Sequence, residues 1–127
     1  MTPGARAAIV SQLEDAGVIA VIRLADGDEL KAVADALLAG GVRALEVTMT
    51  VPNAVARIEE LAASLPEEAL LGAGTVLDVE TAGQVIRAGA RFVVSPVFRS
   101  AVIDACHHED VPMIPGCFVM NWGRPGQ

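Results

Sequence analysis

Tyrosine is absent from this 127-residue sequence, and aromatic residues make up only 3% of it. That scarcity removes the stacking platforms on which single-stranded nucleic acids and sugars are commonly held. Basic residues are also few: nine Lys and Arg stand against sixteen Asp and Glu, for a formal charge of −7, and they form no cluster. No nucleic-acid partner is expected. The two cysteines, Cys106 and Cys117, have neither zinc-type nor thioredoxin-type spacing and read as free thiols in a reducing compartment. No run approaches the ~18 to 20 uncharged apolar residues that span a bilayer, and the opening MTPGARAAIV has no apolar segment behind a basic start. The expectation is a cytoplasmic protein with no membrane partner. Lysine occurs once, at Lys31.

Hydrophobic residues are plentiful, at 53% of the chain with a mean hydropathy of +0.49, enough for a sizeable core. They fall into five short runs: VIAVIR (18–23), ALEVTMT (44–50), LLGAGTV (70–76), RFVVSP (91–96) and VPMIPG (111–116). Between them lie stretches of helical period, expected over 28–39, from Pro52 to about Ser64, over 79–88 and over 99–108, with a further helix over 3–16. Strand and helix alternate in units of about 20 to 25 residues, the grammar of a parallel sheet or a (β/α) barrel. The first run is nearly all β-branched, as for a strand buried on both faces. Asp26 or Asp28 is placed to cap the next helix, Pro52 suits a first helical turn, and Gly17, Gly40-Gly41 and Gly89 are stop signals.

In such folds chemistry gathers where strands end, which singles out Arg23, Glu46, Thr48, Thr50, Thr75 and Ser95. Glu46 sits inside an apolar strand, where an ionised carboxylate is costly unless paired or protonated. It therefore serves either proton transfer or an ion pair with a nearby arginine. Arg23 can grip a carboxylate with its two-point fork, or pair with Glu46. Gly72-Ala73-Gly74-Thr75 lets a ligand or a neighbouring backbone come close, but matches neither the P-loop nor the dinucleotide fingerprint. Ser95-Pro96 and Pro115-Gly116 read as rigid exits from strands. His107 and His108 are adjacent on a helix, diverge by about 100°, and so do not share a metal.

GGVRALEVTMTVPNA, then LLGAGTV, GARFVVSP and VPMIPG resemble, in order and spacing, the 2-keto-3-deoxy-6-phosphogluconate (KDPG) and 4-hydroxy-2-oxoglutarate (KHG) aldolases, over residues 8–118. The resemblance implies a (β/α)8 TIM barrel, a homotrimer, and cleavage of a 2-keto-4-hydroxy acid to pyruvate and an aldehyde through a lysine Schiff base, with neither metal nor cofactor. Carried over, Glu46 is the general acid/base. Thr75 and the amides of Gly74-Thr75 hold the pyruvyl carboxylate, assisted by Arg23. Thr50 stands where some members have an arginine.

The family's Schiff-base lysine lies on strand six, and no residue here corresponds to it. Lys31 falls in the first turn of the helix after strand one, where an exposed ammonium is expected. The expectation is thus an incomplete barrel of about five strands over 1–118, followed by an irregular tail, 119–127, that departs from the family pattern. Such a chain would be the N-terminal part of an aldolase, truncated or frame-changed and inactive alone. The alternative is a non-catalytic fragment that oligomerises or binds a small carboxylate. A thiamine-phosphate synthase relative is a third reading, disfavoured by LEVTMT and GAGTV.

Overall fold

A computed structural model describes residues 4–117, so the tail expected over 119–127 lies outside the described residues. Five strands alternate with helices in the order α1 (Ala5–Ala16), β1 (Ile19–Ile22), α2 (Leu30–Ala39), β2 (Ala44–Thr48), α3 (Ala54–Ser64), β3 (Leu70–Gly74), α4 (Val79–Ala88), β4 (Phe92–Ser95), α5 (Ser100–His108) and β5 (Met113–Pro115). The strands form one open, wholly parallel sheet in the order β1-β2-β3-β4-β5, which is part of a TIM-type barrel wall. Among the described residues no helix is long and apolar enough to cross a membrane.

Local chemistry explains most boundaries. Gly17 and Gly89 end α1 and α4 in the left-handed conformation, at φ of 78° and 116°, where a side chain would be strained. Asp78 caps α4 by accepting from the Thr81 amide at 2.7 Å, and those hydrogen bonds hold its carboxyl below the usual range. Two expectations need correction. Asp26 caps a single 3-10 turn, Gly27–Glu29, rather than α2 itself. Pro52 lies in the turn before α3, because Asn53 takes the capping position in a left-handed conformation and the helix begins at Ala54.

Alternation within each strand sorts side chains to two faces. The outer face carries Ile22, Leu45, Val47, Leu71, Ala73 and Val93 against helix residues such as Leu30, Ala34, Ile58, Leu61, Val85 and Val102. This is the larger core. Cys106 belongs to it, and burial pushes its thiol up to about 11, so it packs as a small apolar group. On the inner face, Ala44, Leu70 and Phe92 are covered at their amino ends by Ile9, Leu13 and Ala16 of α1. Strand β1 is not buried on both faces: Val21 is 56% exposed because β1 is an edge strand and α1 stops short of it. Ile114 on β5, the other edge, is exposed as well.

Candidate active site at the carboxyl ends of the strands

The register sets Val21, Glu46 and Gly72 side by side across β1, β2 and β3, and Thr48 beside Gly74 one step further toward the carboxyl ends. All five therefore face inward. Glycine at positions 72 and 74 is a steric requirement of this arrangement. A Cβ on Gly72 would strike the ring of Phe92, which reaches over from β4. A Cβ on Gly74 would lie 2.5 Å from Cδ of Glu46, which leans over from β2. Strand β3 is thus a floor without side chains at these two positions, and its neighbours fill the space above it.

Glu46 is only 6% exposed and makes no side-chain hydrogen bond among the described residues. Loss of solvent around the carboxylate raises its pKa, and the positive charge of Arg23 pulls it partly back. Burial prevails. Arg23 itself follows the last residue of β1, is exposed, and forms no ion pair among the described residues. Of the two roles open to it, the ion pair with Glu46 is not made, and its guanidinium stays available to an anion.

Thr48, fully buried, shares a 2.6 Å hydrogen bond between its hydroxyl and that of exposed Thr50. The backbone supports the same turn: Met49 N–H donates to the Gly74 carbonyl at 2.9 Å, and Val51 N–H donates to the Thr48 carbonyl at 3.0 Å. Thr75 lies just past β3 at φ 58°, a left-handed conformation that a β-branched residue seldom adopts. Backbone strain of this kind costs on the order of 1 to 3 kcal/mol and concentrates at functional sites.

The strand ends therefore bring Glu46, Thr48, Thr50 and Gly74 together, with Thr75 next in the chain and Arg23 at the end of the adjoining strand. Other sequence candidates fall elsewhere. The Ser95 hydroxyl accepts from the Val97 amide at 3.3 Å and shapes a turn. His107 and His108 end α5 in solvent. Lys31 is in the outer helical layer, its ammonium 2.8 Å from Asp35 with both side chains 54% exposed. Cys106 and Cys117 are unpaired. Sequence reasoning alone did not single out Phe92 or show that Thr48 anchors Thr50. The signal for Phe92 is the spacing of Gly72 and Gly74, legible only once the β3–β4 register is known.

Comparison with known proteins gives this geometry a context. Residues 9–121 match the KDPG and KHG aldolase family. A 2-dehydro-3-deoxy-phosphogluconate aldolase of Treponema pallidum is 43% identical over 111 residues, which are 85% of this chain and 51% of the relative. The KHG/KDPG aldolase of Escherichia coli K12 is 40% identical over 99 residues, 78% of this chain and 46% of the relative. Among solved structures, the aldolase of Zymomonas mobilis ZM4 with 3-phosphoglycerate superposes with a TM-score of 0.79 at 33% identity, covering 88% of this chain and 53% of that one. The Legionella pneumophila KDPG aldolase, holding pyruvate as a covalent carbinolamine, gives 0.72 at 37% identity, over 78% of this chain and 48% of its own. The chain spans about half the length of the relatives it matches. On sequence and fold together, it belongs to the KDPG and KHG aldolase family.

Proposed function

We propose that the ends of β1, β2 and β3 form the 2-oxo-acid half of a class I aldolase site for KDPG or KHG. In this reading they bind the carboxylate of a pyruvyl group, and Glu46 moves protons beside it. The observation that carries this reading is the placement of Glu46: buried, without a hydrogen-bonding partner among the described residues, seated over Gly74 and within the electrostatic influence of Arg23. Arg23 and the Gly74-Thr75 amides supply the complement to a carboxylate. The family and the carbinolamine captured in the Legionella relative support a pyruvyl group as the source of that carboxylate.

In the aldolase reaction an amine adds to C2 of the substrate, and the carbinolamine hydroxyl leaves as water. The C3–C4 electron pair then flows into the resulting imine as the 4-hydroxyl loses its proton and the aldehyde departs. Protonation of the enamine carbon and hydrolysis of the imine release pyruvate. Glu46 would protonate the departing hydroxyl as the acid and take the 4-hydroxyl proton as the carboxylate. A carboxyl with a raised pKa suits both steps, and such general acid–base assistance is worth about 10² to 10⁴ in rate. The amine must come from outside the described strand ends, since Lys31 is held by Asp35 on the outer layer. In this reading the chain alone binds the oxo acid without forming the imine. It assembles as a homo-oligomer, a trimer as the family resemblance implies. The likeness to a designed cage made by fusing symmetric oligomeric domains supports the assembly, with a TM-score of 0.73.

Two measurements on the full chain test this. Pyruvate titrated against it by NMR should bind, and Arg23→Met should weaken that binding about ten-fold or more, the usual worth of a charged hydrogen bond. Borohydride added with pyruvate should leave no covalent adduct. An adduct on Lys31 would overturn the non-covalent reading, and absence of pyruvate binding would overturn the site itself.

A further inference from the structure

The loops that follow β1 and β2 meet at Gly27 and Pro52, and the side chain of Arg57 on α3 reaches across them. Gly27, in the first loop, is buried, and a Cβ placed on it would lie 2.9 Å from Nε of Arg57 and 3.1 Å from the Pro52 carbonyl oxygen of the second loop. Arg57, one turn into α3, extends over this glycine to ion-pair with Asp28 and is steadied by Glu60 at 3.3 Å. The Asp26 carboxylate braces the same turn from within, accepting from the Asp28 amide at 2.9 Å.

We propose that Arg57 is a positioning residue of the aldolase half-site. By lying across Gly27 and gripping Asp28, it holds the loop that begins at Arg23 against the loop that carries Thr50, and so sets where the Arg23 end of β1 stands beside the strand ends. The inference rests on the carboxylate-site reading above. Two features separate it from a purely stabilising role. The ion pair is solvent-facing, with Asp28 76% exposed, and pairs of this kind add little to stability. The close approach is made to glycine backbone, where any larger residue would displace either the guanidinium or the Pro52 carbonyl. The positive charge of Arg23 favours the ionised form of Glu46 against the effect of burial, and the interaction of two charges falls with distance. A freed loop therefore changes how Glu46 holds its proton.

The test uses the full chain and its Arg57→Met, Arg57→Lys and Asp28→Asn variants, with folding checked by circular dichroism. Two quantities are read: the titration of the Glu46 carboxyl by 13C NMR and the affinity for pyruvate. In R57M and D28N, Glu46 should titrate at higher pH than in the unsubstituted chain, and pyruvate binding should weaken by about five-fold. R57K, which retains the charge facing Asp28, should recover part of both. A folded R57M with an unchanged Glu46 titration and unchanged pyruvate affinity overturns the proposal. If the unsubstituted chain does not bind pyruvate, the carboxylate-site reading fails separately, and the Glu46 titration alone decides the role of Arg57.

Discussion

The two ends of the sheet's inner face are built from the same strands, two residues apart, and do opposite things. At the amino end Ala44 and Leu70, joined by the ring of Phe92 from the layer of Gly72, are closed over by α1 and contain no polar side chain. At the carboxyl end the next inward positions on β2 and β3 are Glu46, Thr48, Gly72 and Gly74, with the strained Thr75 directly after. One end buries apolar surface and stabilises. The other buries a carboxylate and accepts backbone strain, both of which oppose folding. The packing of the first end offsets the cost of the second, a division common to parallel α/β folds.

Substitutions that move these ends apart or together test the contrast. The largest effect is expected from Phe92→Ala: it empties the space above Gly72 and should cost about 3 to 5 kcal/mol, read from urea unfolding. On the same face, Val21→Thr at the uncovered edge should change stability by no more than about 0.5 kcal/mol. Equal costs would show that the cluster under α1 is not the stabilising one.

Glu46→Gln comes next and should stabilise the chain in a pH-dependent way. Burial raises the folded-state pKa of Glu46 above its ordinary 4.5, so ionisation is harder in the folded than in the unfolded chain. The unsubstituted protein therefore loses stability as pH rises from the unfolded value through the folded one, and the glutamine variant does not. Unfolding midpoints near pH 8 should favour E46Q, and the difference should vanish below the unfolded value. An E46Q variant less stable than the unsubstituted chain near pH 8 would mean that the carboxylate is stabilised by a partner instead. Smallest is Thr75→Gly, which relieves the φ of 58° against the extra freedom of glycine and should gain up to about 1 kcal/mol. If it destabilises, the left-handed turn is held by threonine contacts rather than endured for the site.

Much of the molecule was legible in advance. The apolar runs, the helical spacing of Leu30, Ala34, Leu37 and Leu38, and the stops at Gly17 and Gly89 place every described element to within a few residues. Glu46 stood out because a carboxylate in an apolar strand contradicts its surroundings. The misreadings share a cause. The burial expected for Val21 failed, and the separate standing of Arg23 and Glu46 could not be chosen over a pair, because each depends on what lies across the sheet rather than along the chain.

Sequence by itself determined the alternation of strand and helix, the parallel sheet that follows from it, and the residue types at the strand ends. Periodicity and glycine placement are local properties, written residue by residue. Only the tertiary structure decided that Glu46 rests on Gly74, that Phe92 occupies the space above Gly72, and that Arg57 of α3 reaches Asp28, 29 residues away along the chain. These are consequences of register and of packing between elements, and a one-residue shift in pairing would turn each inward group to the other face.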